Sequence, residues 1–192
     1  MRNTEEDITS CMEWIEHYVP AALKPEHVEP EVNKAGIIPL YKKKMLLIKP
    51  WAKKKHLGPP PWQLIKGTRM YRSSFGFKDY KKASDIESEQ QLEPLLCTAL
   101  REGMEEAGLK LENIDGIAPL GTHSYRSIST GKEKFMALYA LEMKSKTNFD
   151  WPDAHHPVTE EMEWFNPNKL SDDVREDAAD IIKQITQTLV QL

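Results

Sequence analysis

Ile8, Met12, Ile15 and Val19 recur at steps of three and four residues. That spacing predicts a helix with one apolar face. Thr4 stands where a cap belongs, and Glu5, Glu6 and Asp7 fall in the first turn, where negative charge suits the helix dipole. Pro20 stops the helix, and residues 21–34, with further prolines and many charges, read as a connector. From Ala35 the period changes. Gly36-Ile-Ile-Pro-Leu-Tyr41, then Lys42-Lys-Lys44, then Met45-Leu-Leu-Ile48 predict a strand, a turn and a strand. Residues 50–61, with Pro50 and Pro59-Pro-Pro61, predict a loop, and Trp62-Gln-Leu-Ile-Lys66 a short strand ending at Gly67.

Residues 68–92 show no clear period; they are basic and aromatic first, then acidic, and read as a long loop. Glu93-Pro94 opens a helix that runs to Ala107, with Gly108 as its stop. Strands are expected near 116–124 and 132–143. A loop with Trp151-Pro152 and His155-His156 leads to a strand near 162–165. Ser171 or Asp172 is placed to cap a last helix, whose apolar stripe is Val174, Ala178, Ile181, Ile182, Ile185 and Leu189. No internal repeat interrupts this order. The elements predict an α/β protein of the α+β kind, a mixed β-sheet sandwiched between helices.

Composition narrows the class. The 192 residues suffice for one domain of ordinary size, and 40% hydrophobic with 29% charged residues fits a globular, water-soluble protein. A net charge of −4 argues against a dedicated nucleic-acid binder. Cys11 and Cys97 lack metal-ligand spacing and read as reduced thiols. No apolar run reaches the ~20 residues of a membrane span, and the acidic start lacks a signal segment. The expectation is a cytoplasmic protein, with a homodimer left open.

The chemistry concentrates in Arg101-Glu-Gly-Met-Glu-Glu-Ala-Gly-Leu109. On a helix Leu96, Ala99, Leu100, Gly103 and Ala107 share one face, and Glu102, Glu105 and Glu106 lie together on its flank. Like charges at three- and four-residue spacing cost roughly 0.2–0.5 kcal/mol per pair. Arg101, four residues before Glu105, relieves part of that cost, and a bound divalent cation would relieve the rest. All-oxygen carboxylate ligands suit magnesium or manganese. On the glutamates alone, a solvated acidic helix face is the simpler reading.

The flanking spacing changes that. Seven residues separate Glu93 from Arg101; Arg101-Glu102, Glu105-Glu106, Gly108 and Leu109 then fall in fixed register. In this the chain resembles the Nudix hydrolase family. Trp62-Gln-Leu-Ile-Lys-Gly67 is similar to the strand and glycine before the family's box, and Glu160-Glu-Met-Glu-Trp-Phe165, with Pro167 and Leu170, to its late strand and turn. The resemblance covers residues 35–191, leaving 1–34 as an N-terminal helix and connector and 35–192 as the hydrolase domain. Three departures stand out: residues 68–92 separate Gly67 from Glu93 where the family has a five-residue spacer, Gly103 replaces an apolar residue, and Ile65 replaces a common proline.

The resemblance implies a fold, an activity and roles. The activity is metal-dependent cleavage of a diphosphate linkage in a nucleoside di-, tri- or polyphosphate derivative, with Mg²⁺ or Mn²⁺ as cofactor. The alternative is a non-catalytic Nudix-fold module that binds nucleotide or RNA. Glu102 and Glu106 would be the main metal ligands, Glu105 would complete the cluster, and the Gly67 carbonyl is a further candidate. Arg101 would orient a carboxylate and Glu93 would brace Arg101. Glu160 and Glu161 are the leading candidates for an additional ligand or base, ahead of Asp150 and Asp153. Tyr125, sixteen residues after Leu109, ranks diadenosine polyphosphates slightly above sugar nucleotides.

From the residues themselves, the 68–92 segment offers Arg69 and Arg72 to substrate phosphates, with Tyr71, Phe75, Phe77, Lys78, Tyr80, Lys81 and Lys82 around them. A surface loop or an oligomer contact is the competing reading. Lys42-Lys-Lys44 and Lys53-Lys-Lys55 add positive charge. His155 and His156 read as exposed loop side chains, with substrate or metal binding as the alternative. Trp62 reads as core packing, and Trp51 as packing or base stacking.

Overall fold

Residues Ala35 to Leu40 are buried without a break, as a strand covered on both faces requires. They lie in β1 (Lys34–Tyr41) of a computed structural model that describes residues 4–21, 31–50, 60–127, 130–146 and 159–191. One edge of β1 pairs in parallel with β7 (Glu133–Met143). The other edge is shared: β3 (Ile65–Thr68) takes the first half and β2 (Lys44–Pro50) the last residues, both antiparallel. β6 (Ile114–Arg126) flanks β7, and β8 (Thr159–Phe165) flanks β2. The result is a mixed six-stranded sheet in the order β6-β7-β1-β2-β8, with β3 on β1. Lys42 and Lys43, at φ 47° and 63°, close β1 onto β2 in a two-residue turn.

Alternation along the strands sends side chains to two cores. Ala35, Ile37 and Ile65 pack under α1 (Thr4–Tyr18) and α2 (Leu95–Ala107). Ile38, Leu40 and Leu64 pack under α3 (Glu176–Gln191) on the opposite face. The fold is the predicted mixed sheet between helices. Gly103 explains one departure from the box. A Cβ there would lie 2.5 Å from Ile37 Cδ1, so glycine lets α2 sit close on β1. Gly108, at φ 65°, ends α2 in the left-handed conformation.

The structure revises three local expectations. In α1, Cys11 is buried while Met12 is 41% exposed, so the buried stripe runs Ile8, Cys11, Ile15. The last helix begins at Glu176, past both proposed caps. Trp62 N–H donates to the Asp173 carbonyl at 2.9 Å and Arg175 N–H to the Trp62 carbonyl at 2.8 Å. That pairing holds the segment extended beside Trp62 and overrides the local cap. Trp62 itself is 5% exposed and packs edge-on against Phe165, at 5.1 Å between ring centroids.

The third revision is the 68–92 segment, which has structure of its own. β4 (Met70–Ser73) and β5 (Gly76–Asp79) form a hairpin turned at Gly76, φ 100°. Two short 3-10 turns follow. The hairpin's feet are tied together: Tyr80 N–H donates to the Arg69 carbonyl at 2.8 Å, and Glu93 N–H to the Met70 carbonyl at 2.9 Å. The segment therefore leaves and rejoins the sheet and α2 at one place.

Arg69 makes that closure, which corrects its assignment as a substrate contact. It is 1% exposed, and its guanidinium donates to the backbone carbonyls of Glu93 at 2.6 Å and Val32 at 3.3 Å. Removing it strands two buried acceptors. Arg69→Ala is expected to cost about 1.5–3 kcal/mol, a fall in Tm of roughly 5–10 °C for a chain of this size. KM measured well below the melting range should stay at the wild-type value; a raised KM with unchanged Tm would return Arg69 to the substrate.

Cys11 and Cys97 are both buried and unpaired as disulfides. Among the described residues no helix is long and apolar enough to cross a membrane. Trp51, Lys53-Lys-Lys55, Asp150, Asp153, His155 and His156 lie outside the described residues.

Candidate active site

The α2 flank meets the end of the sheet where β1 and β3 pair. Arg101 is the hub there. It is 2% exposed, and its Nε and Nη2 donate to Glu93 Oε1 at 2.8 Å and Oε2 at 3.1 Å. Nη2 also reaches the Thr68 carbonyl at 2.9 Å, and Nη1 donates to Glu102 Oε1 at 2.8 Å and Glu105 Oε2 at 3.1 Å. Burial alone would lower the Arg101 pKa. The hydrogen bonds and charge of Glu93, then Glu102 and Glu105, outweigh it and hold the guanidinium firmly charged. Arg101 thus fixes two carboxylates and is itself fixed by a third, which sits at the foot of the hairpin and accepts the Met70 N–H at 3.0 Å.

Glu106 lies one turn beyond Glu102. Its Oε2 accepts the Lys66 N–H at 3.0 Å. Its backbone carbonyl accepts the hydroxyl of Thr159, which ties the start of β8 to the end of α2. Burial, together with the negative charge of Glu102, pushes the Glu106 pKa up to about 8, against the pull of Lys66. Burial likewise pushes Glu102 up to about 7, with Arg101 opposing and Glu105 adding. Glu105 is also raised, by burial first, with Arg101 opposing. Two neighbouring carboxylates are therefore held at a potential that a cation would relieve.

Gly67 makes room for this. It pairs with Ala35 in the β1–β3 ladder, and the Glu102 carboxylate occupies the space a side chain at 67 would need. The obstructing atoms are the far end of a flexible side chain, so the fold can absorb a methyl group and the site cannot. Gly67→Ala is expected to change Tm by only a few degrees. It should weaken Mg²⁺ affinity at least tenfold by displacing Glu102, read as the Mg²⁺-induced rise in Tm across a titration. Equal metal affinity in the two proteins would place the metal away from Glu102.

Among the described residues no three His, Cys, Asp or Glu side chains converge on one point as a ready cluster. Arg101 draws Glu102 and Glu105 toward itself, and the Glu102–Glu106 pair remains. Two hard carboxylates fit a divalent cation that keeps waters and takes substrate oxygens as further ligands, the habit of magnesium.

The other sequence candidates fall elsewhere. Arg72 is exposed on β4 and pairs with Glu5 of α1 at 3.4 Å. Tyr125 lies on the α3 face, with its hydroxyl raised by burial and by Asp177. Glu161 is exposed on β8 opposite Lys49. Glu160 follows Thr159 in β8, so its backbone starts near the Glu106 carbonyl.

Sequence reasoning passed over a set of cations. Alternation places Lys34, Lys66 and Lys134 on the α3 face of the sheet, close to Arg175. Burial lowers the Lys66 pKa, then Arg175, while Glu106 and Asp177 oppose. Burial also lowers Lys34, then Lys134, with Glu102 and Glu106 opposing. Of these, Lys34 lies within reach of the charges of Glu102 and Glu106, and Lys66 of Glu106. The available signal was period-2 alternation: Gly67 faces α2, so Lys66 must face the other way.

No family model and no curated protein matches the sequence. Solved structures do match. An Ap4A hydrolase of C. elegans in a binary complex aligns with a TM-score of 0.50 at 16% identity, over 84% of this chain and 99% of that one. A Nudix hydrolase of Nitrosomonas europaea gives 0.52 at 13% identity, over 82% and 89%. The dihydroneopterin triphosphate pyrophosphohydrolase of E. coli gives 0.50 at 11% identity, over 81% and 94%. With its mixed sheet, its flanking helices and the carboxylates of α2 at the sheet's end, the chain has the Nudix fold.

Proposed function

We propose that the chain is a divalent-metal-dependent hydrolase that cleaves the diphosphate linkage of a nucleoside di-, tri- or polyphosphate derivative. The observation that carries this reading is the Glu102–Glu106 pair, two carboxylates raised to about 7 and about 8 on one helix flank. Residues 35–192 would carry the hydrolase domain, interrupted at 68–92, with α1 packed on it.

Glu102 and Glu106 would hold Mg²⁺ or Mn²⁺, with Glu105 completing the cluster directly or through water. When bound, such a cation neutralises phosphoryl oxygens and supplies an activated water. Arg101 keeps the Glu102 carboxylate in place, and Glu93 keeps Arg101 in place. Lys34 and Lys66, crowded by other cations, would take the phosphates next to the one being attacked. The anionic middle of the substrate would then lie between the lysines and the carboxylates. Glu160, at the start of β8, is the candidate to accept a proton from the attacking water. Support for a substrate with a phosphate chain comes from the likeness in fold: the C. elegans neighbour is named an Ap4A hydrolase and the E. coli neighbour a dihydroneopterin triphosphate pyrophosphohydrolase.

The test is a nucleotide panel assayed for phosphate-ester products with Mg²⁺, with Mn²⁺ and with excess chelator. Turnover of at least one diphosphate-containing nucleotide is expected with metal, and at least a hundredfold less with chelator. Full turnover in the metal-stripped sample would sink the mechanism. Nucleotide binding without turnover under every metal condition would make the chain a Nudix-fold binding module.

A further inference from the structure

The cations of the α3 face form a row. β3, β1, β7 and β6 lie side by side in the sheet. The first three each bring one half-buried lysine to the same end: Lys66 of β3, Lys34 of β1 and Lys134 of β7. Register sets their spacing. Lys66 pairs with Gly36, two residues along from Lys34. Lys34 pairs with Met136, two residues along from Lys134. Lys134 stands directly opposite Tyr125 of β6. Side chains two residues apart on a strand point the same way, and Met136 and Tyr125 both pack in the core under α3. The row therefore crosses two strand spacings, about 10 Å, and ends against Tyr125.

Arg175, immediately before α3, joins this row. Its charge reaches Lys34, Lys66 and Tyr125. Its guanidinium donates to Gln63 Oε1 at 2.9 Å and to Asp177 Oδ2 at 2.8 Å, and its buried Nε has no acceptor among the described residues. Asp177 offsets the charge of Arg175. Among the described residues no carboxylate forms an ion pair with Lys34, Lys66 or Lys134. Like charges packed in a half-buried row repel one another, and an anion laid along it relieves them. Carboxylates bound the row at both ends. Glu102 and Glu106 lie within reach of Lys34 at one end. At the other, a cavity of about 580 Å³ opens beside Tyr125, where Glu133, Glu176, Asp177 and Asp180 stand against Arg126. The positive charge is thus confined to the stretch between them.

If Glu102 and Glu106 hold a cation at the cleaved linkage, the row leads away from that linkage toward Tyr125. A phosphate within a chain carries about one negative charge. A lone diphosphate linkage brings about two, which the metal and the nearest lysines already meet. Three lysines without carboxylate partners, with the spare Nε of Arg175, match a longer run of phosphates. We propose, resting on the hydrolase reading above, that the preferred substrate carries three or more phosphates in line, and that Lys134 selects it by holding a phosphate beyond those on Lys34 and Lys66. The acidic cavity beside Tyr125 ends the run, because phosphate is repelled there.

Calorimetry of the full chain with inorganic pyrophosphate and inorganic tripolyphosphate, in metal-free buffer, tests this without turnover. The wild type is expected to bind tripolyphosphate roughly tenfold more tightly. Lys134→Gln should weaken tripolyphosphate by roughly tenfold, the loss of one hydrogen bond between charged groups, and pyrophosphate much less. Lys134→Arg should restore the wild-type preference. The Tm of Lys134→Gln should not fall, because the change removes one of several crowded like charges, so lost affinity will not be lost folding. In assays with Mg²⁺, Lys134→Gln should raise KM for nucleotides of three or four phosphates more than for those of two, with kcat little changed. Equal affinity of the wild type for the two anions overturns the proposal. So does an equal loss for both in Lys134→Gln, or a tripolyphosphate affinity that Lys134→Gln leaves unchanged. The two readings fail separately. Lys134-dependent tripolyphosphate binding without turnover of any nucleotide keeps the phosphate row and removes the hydrolase. Metal-dependent turnover whose preference for chain length is the same in Lys134→Gln keeps the hydrolase and removes the role of Lys134.

Discussion

Glu106→Gln is expected to lower metal-dependent turnover by about a thousandfold while leaving the metal-free protein at least as stable as the wild type. A metal ligand contributes several kcal/mol to the transition state, and each 1.36 kcal/mol is tenfold in rate. The amide keeps the shape and the oxygen that accepts the Lys66 N–H at 3.0 Å, so the fold has little to lose. It has something to gain. Glu102 and Glu106 are raised, to about 7 and about 8, by burial first and, for Glu106, by the charge of Glu102 next. Between about pH 5 and pH 8 the folded state thus holds protons that the unfolded chain has already released, so the stability of the metal-stripped wild type should fall as pH rises through that window. At about 1.4 kcal/mol per pH unit for each group so raised, the fall should amount to several kcal/mol, and added Mg²⁺ should remove most of it. In Glu106→Gln one of the two raised groups no longer titrates, and the slope should flatten. Stability against pH by chemical denaturation, with and without metal, reads both effects. A variant with near wild-type rate, or a metal-free wild type that gains stability from pH 5 to 8, would show that the carboxylates do not share a cation.

What was legible in the sequence was local. The box sits on one helix, where three- and four-residue spacing fixes which side chains meet. Glu102, Glu105, Glu106 and Arg101 could therefore be placed together before any coordinates. The central strand was legible because its burial is continuous. What was illegible depended on distant chain. Arg69 read as a surface cation because nothing nearby announces that Val32 and Glu93 turn carbonyls toward it. Ser171 and Asp172 offered sound caps, and backbone pairing with Trp62 overrode them. The lysines of the α3 face come from β1, β3 and β7, far apart in sequence, and only the sheet's order brings them to one place. The hairpin hid because its strands are short and its apolar residues mix with charges. Its feet are tied to each other, so Gly67 and Glu93, far apart in sequence, flank a closed loop.

Glu93→Ala is expected to cost about 3–5 kcal/mol of stability, the usual loss when one partner of a buried ion pair is removed. For a chain of this size that lowers Tm by roughly 10–15 °C. The Glu93 side chain is fully buried and the Arg101 side chain is 3% exposed, so no water replaces the missing oxygens cheaply. Two hydrogen bonds to Arg101, at 2.8 and 3.1 Å, and one from the Met70 N–H at 3.0 Å are lost together. The released guanidinium still has Glu102 and Glu105 within reach. It should turn further onto them, which softens the loss and draws Glu102 away from Glu106. The folded fraction should then need more Mg²⁺ for half-maximal effect, a change that a defect of folding alone would not produce. Glu93→Gln, which keeps the shape and one acceptor, should fall between the two proteins in both respects. Thermal denaturation and a Mg²⁺ titration of all three proteins, taken below the lowest Tm, separate the outcomes. A loss under 1 kcal/mol for Glu93→Ala would mean that Glu102, Glu105 and the Thr68 carbonyl satisfy Arg101 without help. An unchanged metal requirement would mean that the brace serves the fold and not the site.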